Sequence, residues 1–185
     1  MSFEIDQAGE WIKGTRRVAS PNYDTRPDPG DISLLVVHGI SLPPRQYGGE
    51  YIDQLFTNCL DRGAHPYFAE ICDLRVSSHL MIDRQGQVTQ YVPLIQRAWH
   101  AGASEFQGRD TCNDFSIGIE LEGCDEDPYC EIQYQRLADL TTVIRSRWQG
   151  ITRERIVGHS DIAPGRKTDP GPAFDWDYFF AMVPA

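Results

Sequence analysis

The run Leu34-Leu35-Val36-Val37, unbroken by a polar residue and ending in His38, constrains this chain more than any other stretch. A strand that alternates apolar and polar residues buries one face, whereas a continuous apolar run requires both faces covered, so residues 34–37 are expected at the centre of a sheet with His38 at its C-terminal end. A second segment, Phe115-Ser116-Ile117-Gly118-Ile119-Glu120-Leu121-Glu122, alternates with period two. Ile117, Ile119 and Leu121 share one face, and Gly118, Glu120 and Glu122 share the other. Residues 77–83 and 87–92 flank Arg84-Gln85-Gly86 as a hairpin, with glycine supplying the positive φ of the turn.

The longest helix is expected over residues 128–149, with Asp127 as N-cap, Pro128 at the first helical position and Gly150 as the stop. Leu137, Leu140, Ile144 and Trp148 recur on its buried face. Shorter helices are expected at 51–60 and 176–182, and a short strand at 155–157 delivers His159. Strands interleaved with helices and a hairpin predict an α+β, mixed α/β chain: a single domain over residues 1–185, with a central mixed β-sheet flanked by helices. Residues 1–31 read as an irregular N-terminal wrap. Residues 39–76, rich in proline and glycine, read as a long binding or lid connection.

Composition narrows the partners. With 17 basic against 27 acidic residues the net charge is -10, which repels nucleic-acid phosphates and anionic membrane surfaces, so neither is expected. Residues 1–11 carry no basic region followed by an apolar stretch, and no segment is long and apolar enough to span a bilayer, so the expected address is the cytoplasm. Five cysteines, an odd number without a C-x-x-C pair, read as reduced thiols, mostly packing residues.

The chemistry concentrates in Gly158-His159-Ser160-Asp161-Ile162-Ala163-Pro164-Gly165-Arg166-Lys167-Thr168-Asp169-Pro170-Gly171-Pro172, a proline-stiffened loop dense in ionisable groups. His38, His159 and Asp169 are candidate ligands: two imidazoles and a carboxylate leave a tetrahedral zinc one open position, the composition of a catalytic site. The His159-Ser160-Asp161 pattern also permits a non-haem iron facial triad. Taken singly, histidines are more often hydrogen-bonded core or surface residues than ligands, which is the reading for His79 and, at a turn, for His65. Glu120 or Glu122 is a candidate general base, and alternation does not choose between them. Lys167 is a candidate oxyanion stabiliser, with its neighbour Arg166 read as an exposed loop charge. Trp99 and His100 follow a strand; Trp99 suits packing against a ligand, while His100 reads more readily as a satisfied histidine.

Five segments taken in order resemble the zinc N-acetylmuramoyl-L-alanine amidases, a family that includes phage lysozyme-amidases and the peptidoglycan-recognition proteins. They are Leu34 to His38, Val76-Ser77-Ser78-His79-Leu80-Met81-Ile82, Arg97-Ala98-Trp99-His100-Ala101-Gly102, Asn113-Asp114 through Glu122-Gly123, and Gly158 to Pro172. The resemblance runs over nearly the whole chain. It implies the amidase and peptidoglycan-recognition-like fold, one Zn2+ ion on His38, His159 and Asp169, Glu120 as the carboxylate that activates water, and Lys167 as the oxyanion partner. An aspartate third ligand, where recognition proteins with amidase activity carry a cysteine, resembles the branch that cleaves cytoplasmic 1,6-anhydro-muropeptides in peptidoglycan recycling. A small muropeptide is then the partner, with no obligate protein partner evident. Its stem-peptide carboxylates call for local cations, for which Arg75, Arg97 and Arg109 are candidates, with Trp99 and His100 as further substrate contacts. Two rivals remain: an amidase acting on intact peptidoglycan, and a non-catalytic fragment-binding module, which the full ligand set disfavours.

Overall fold

The computed structural model describes residues 3–184. Its centre is a six-stranded sheet built from β1 (Arg16–Arg17), β2 (Leu34–Ile40), β3 (Leu80–Ile82), β4 (Val88–Gln90), β5 (Ser116–Glu122) and β6 (Ile156–Gly158). The strands lie in the order β6-β2-β5-β3-β4-β1. Neighbours from β6 through β3 are parallel, β4 is antiparallel to β3, and β1 runs parallel to β4, so the sheet is mixed as the sequence predicts.

The unbroken apolar run does occupy a central strand, with Leu34 to Val37 wholly buried. Period two divides it. Leu35 and Val37 join Ile117, Ile119 and Leu121 of β5 in the core beneath the long helix α3 (Glu131–Arg147) and the C-terminal helix α5 (Trp176–Met182). Leu34 and Val36 face the other way, into a smaller cluster with Ala101, Cys112, Phe115 and Ile162. Burial of each such side chain contributes about 1.5–3 kcal/mol, enough to fix the register of both central strands. In that register Val36 lies beside Gly118, His38 beside Glu120, and Ile40 beside Glu122, so the polar half of β5 lines up with the end of β2.

Helix α3 starts at Glu131 with Cys130 as its N-cap, not at Pro128. The expected cap is engaged elsewhere: the Asp127 carboxylate accepts from Tyr47 Oη at 2.6 Å and Arg45 Nη2 at 2.9 Å, and Tyr129 Oη donates to Pro170 O at 2.9 Å. Gln133 Oε1 accepts from Cys130 N instead, at 3.0 Å. At the other end the helix stops at Arg147, with Trp148 as its C-cap, two residues before the expected limit.

The N-terminal segment is more ordered than a wrap. Glu4–Ile5 pairs with Ile12–Lys13, Tyr23–Asp24 pairs with Arg97–Ala98, and β1 forms an edge of the main sheet beside Thr89 and Gln90. Two-residue strands of exposed arginines carry no hydrophobic alternation, which is why the pattern is silent there. The 39–76 connection holds α1 (Tyr51–Phe56), shorter than expected because Asn58 turns to φ 62, and a helix the sequence did not signal, α2 (Phe68–Ile71). Leu42, Ile52, Leu55, Phe56, Leu60 and Phe68 give this connection its own apolar cluster against Tyr91 and Val92. Directly after β6 the chain forms α4 (His159–Ile162), so His159 begins a helical turn where the sequence suggested a loop.

All five cysteines are free thiols; Cys112 is buried, Cys72, Cys124 and Cys130 are half-buried and Cys59 is exposed, so packing is a smaller part of their role than expected. No helix among the described residues is long and apolar enough to cross a membrane.

Candidate metal centre and active site

Three strands and one loop converge on a cavity of about 270 Å³ whose lining includes His38, Trp99, His100, Glu120, His159, Lys167 and Asp169. His38 arrives from the end of β2, Glu120 from β5, and His159 from the first turn after β6. Asp169 returns from the loop, held by Ser160 N donating to Asp169 O at 3.0 Å. Glycines let the pieces meet: a β carbon at Gly158 would lie 2.9 Å from Pro170 Cδ, and one at Gly118 would lie 2.6 Å from the His100 ring.

His38 Nδ1, His159 Nδ1 and Asp169 Oδ2 stand 2.9, 3.1 and 3.2 Å from one another. Hydrogen bonding does not account for that triangle. His159 Nε2 lies 3.1 Å from Ala101 O, which only accepts, so in the neutral ring the proton is on Nε2 and Nδ1 presents a lone pair. His38 Nε2 lies 2.9 Å from His100 Nδ1, and His100 Nε2 lies 3.0 Å from Ser116 Oγ; a proton on each Nε2 satisfies that relay and leaves His38 Nδ1 bare. Two nitrogen lone pairs and a carboxylate oxygen therefore point at one another, and a cation resolves their repulsion. Tetrahedral zinc with ligands at about 2.0–2.2 Å separates them by about 3.3–3.6 Å, close to the spacing seen, so the donor set fits this metal. Among the described residues, these are the side chains grouped for such a role.

Electrostatics agree. Burial lowers His38 to about 4, outweighing the nearby Asp169 carboxylate, so its ring is neutral and free to ligate at ordinary pH. Burial pushes the Asp169 carboxyl up, but its contacts with His159 and His38 more than reverse this and keep it ionised. Glu120 is only 8% exposed, and its Oε2 has no hydrogen-bond partner. Burial first, and the Asp169 charge second, hold its carboxyl well above the usual range, with Lys167 pulling the other way. A buried, unsatisfied carboxyl costs stability, which makes Glu120 the candidate for a chemical role.

Glu122 is placed differently. Its carboxylate accepts from Gly48 N and from Arg84 N at 3.1 Å, tying the 43–49 loop and the hairpin turn to the sheet. Of the other candidates, Trp99 and His100 reach the cavity. Arg97 instead pairs with Asp114 and Asp24, Arg109 pairs with Asp31 at 2.6 Å and lies over Phe115, and Arg75 is exposed, bonding Leu74 O; none of the three is in the cavity lining. The apolar wall is a feature the sequence reading missed: Leu42, Leu55, Tyr67, Ile71 and Leu74 from the 39–76 connection close one side. Arg166 is exposed as expected yet not idle, since its Nη2 donates to Ala101 O at 2.6 Å and to Ala103 O at 2.7 Å. His79 is a satisfied core residue, taking Gly118 N on Nδ1 at 3.0 Å and giving Nε2 to Gln96 O at 3.0 Å.

Comparisons with known proteins point to one family. The family model for N-acetylmuramoyl-L-alanine amidase matches residues 28–172. The 1,6-anhydro-N-acetylmuramyl-L-alanine amidase AmpD of Escherichia coli K12 is 57% identical over 173 residues, covering 94% of both chains. A crystal structure of a selenomethionine derivative of AmpD, also 57% identical, superposes with a TM-score of 0.92 over 94% of this chain and 97% of that one. The E. coli amidase AmiD, solved in complex with the substrate anhydro-N-acetylmuramic acid-L-Ala-D-gamma-Glu-L-Lys, is 31% identical. It matches with a TM-score of 0.60 over 100% of this chain and 67% of its own.

Proposed function

This chain belongs to the N-acetylmuramoyl-L-alanine amidase family, and on that premise we propose that it hydrolyses the amide between 1,6-anhydro-N-acetylmuramic acid and the L-alanine of muropeptides, using a zinc ion held by His38, His159 and Asp169. The observation that carries this reading is the triangle of His38 Nδ1, His159 Nδ1 and Asp169 Oδ2 beside an unpartnered buried carboxyl at Glu120. When bound in such a His2Asp set, zinc keeps one position open, acidifies water and polarises a carbonyl.

The chain's own residues do the rest. Glu120 Oε2, unpartnered beside the ligand triangle, takes the proton of the attacking water and delivers it to the leaving amide nitrogen. A cation held by the triangle would offset the bias that burial and Asp169 put on the Glu120 carboxyl and favour its ionised, proton-accepting form. Lys167, at the cavity rim, offers its ammonium to the oxyanion that develops on the lactyl carbonyl. Trp99 and the wall of Leu42, Leu55, Tyr67, Ile71 and Leu74 provide apolar surface for the sugar and peptide, excluding water around the scissile bond. The place of action that fits such small substrates is the cytoplasm, in peptidoglycan recycling.

The test pairs metal analysis of protein purified without added zinc with chromatographic turnover of anhydromuramyl-tripeptide and of intact sacculi. One zinc per chain with rapid release of tripeptide from the anhydro-muropeptide is the expected result. Protein that neither holds nor regains zinc and cleaves neither substrate overturns the enzymatic reading, and equal rates on sacculi overturn the recycling role.

A further inference from the structure

Both ligand histidines lean on consecutive residues. His38 Nε2 meets the His100 side chain at 2.9 Å, and His159 Nε2 meets the Ala101 carbonyl at 3.1 Å. The orientation of both imidazoles is thus set by one dipeptide, His100-Ala101, whose two residues are buried. That dipeptide is in turn pinned from two sides. Asn113, 6% exposed in a 3-10 turn (Cys112–Asp114) just before β5, accepts on its single Oδ1 from His100 N at 3.2 Å and from Ala101 N at 2.8 Å. Arg166, from the loop that carries Lys167 and Asp169, donates to Ala101 O at 2.6 Å.

We propose that Asn113 and Arg166 are positioning residues for the metal centre, which act by clamping the His100-Ala101 dipeptide that aims both ligand imidazoles; the inference rests on the zinc reading above. Asn113 bonds neither ligand ring, and Arg166 Nη2, besides its bond to Ala101 O, lies 3.5 Å from His159 Nε2, the ring nitrogen turned away from the triangle. Their leverage comes from the shared support: a shift of the dipeptide turns both rings at once, where an ordinary outer contact turns one. Aiming the rings beforehand removes an ordering cost from metal binding, and losing an outer partner of a metal-bound histidine weakens affinity by about 10–100-fold. Arg166 also joins the dipeptide to the loop that ends in Asp169, so the third ligand is tied to the same brace.

The experiment measures zinc affinity by chelator competition, and the visible spectrum of the cobalt-substituted protein, for the parent, Asn113→Leu, Arg166→Gln and the control Gln133→Leu. Gln133 is a buried amide of the same kind on α3, bonding Ile82 O and Glu122 O on the far side of the sheet. Asn113→Leu and Arg166→Gln should each weaken zinc binding by about tenfold or more and alter the cobalt bands, since both report ligand geometry rather than turnover. Gln133→Leu should lose comparable urea stability and keep parental affinity and spectrum. Should Asn113→Leu fail to fold, Arg166→Gln decides, because that side chain is exposed. Parental affinity and spectrum in both clamp variants, or an equal loss in Gln133→Leu, overturns the inference while leaving the zinc reading intact. A parent that binds no zinc removes the zinc reading, and this inference with it.

Discussion

His38 and Glu120 stand side by side on adjacent parallel strands, registered directly against one another, so an imidazole of the ligand triangle and the one unpartnered carboxyl of the cavity share a face of the sheet. Neighbouring strands lie about 4.8 Å apart, and the ladder fixes that separation without any loop. On the zinc reading proposed above, the base and the metal would thereby sit together on the central sheet, with the apolar wall of the cavity supplied by the 39–76 connection.

Replacement of Glu120 by Gln keeps the shape and removes the base. Zinc content should stay at the parental level, since Glu120 is outside the ligand triangle, while kcat falls by about 10²–10⁴-fold, equivalent to about 3–5 kcal/mol of barrier. Steady-state kinetics with metal analysis on the same sample checks both halves. Zinc lost together with activity would make Glu120 a ligand.

The same substitution changes how the metal-free chain responds to pH. Burial is the leading cause that lowers His38 to about 4, His79 to about 3, and His100 well below its ordinary 6.5. Below pH 6.5 the unfolded chain gains protons on these rings before the folded chain does, so stability falls with acidification towards pH 4, by up to about 1.4 kcal/mol per pH unit for each ring. Glu120 opposes this. Raised above 4.5 by burial, it keeps its proton in the folded chain while the unfolded chain has released it, so its contribution is lost as pH rises. Urea midpoints in excess chelator should therefore fall as the pH is lowered from 6.5 for both proteins, and more steeply for Glu120→Gln, which lacks the opposing carboxyl. Parallel profiles for the two proteins would show that Glu120 titrates normally.

Lys167 is exposed at the rim, so its loss should leave the fold untouched. Lys167→Ala should retain zinc and substrate affinity and lose about 10²–10³-fold in kcat, the usual cost of one oxyanion donor. A rise in KM at unchanged kcat would assign Lys167 to ground-state binding of a substrate carboxylate instead.

Legibility in the sequence followed the strength of each physical signal. The run at Leu34 to Val37 and the alternation of β5 mark the two central strands; both are buried on both faces, and β5 alternates because its second face carries Ser116, Glu120 and Glu122 where β2 carries apolar side chains. The metal triangle was legible only through residue type and resemblance, since His38, His159 and Asp169 are far apart in the chain and meet through the parallel pairing of β2 with β5 and β6. Asp127 shows how a local rule yields: its sequence context favours a helix cap, but Tyr47 and Arg45 bind its carboxylate first. The arginines show the reverse difficulty. Nothing near Arg97 in the chain reveals that Asp24 and Asp114 will neutralise it, and nothing near Asn113 reveals that its amide will hold two residues of another segment.

Gly118 is a tight point beside the ligand histidines, and its replacement gives a direct packing test. On β5, between Ser116 and Glu120, it leaves the space into which the His100 ring fits; a β carbon there would lie 2.6 Å from the ring atoms Cγ and Nδ1. His100 has little room to retreat, bonded as it is to His38 at Nδ1 and Ser116 at Nε2. Gly118→Ala should therefore destabilise the protein by about 1–3 kcal/mol, the range for overpacking, even though alanine suits a strand backbone better than glycine does. Truncating the ring opens the space. In the background of His100→Ala, the same Gly118→Ala change should cost much less, giving a coupling energy of about 1 kcal/mol or more in a double-mutant cycle read from urea midpoints. Additive losses would mean that the two sites do not collide, and that the glycine serves the strand backbone alone.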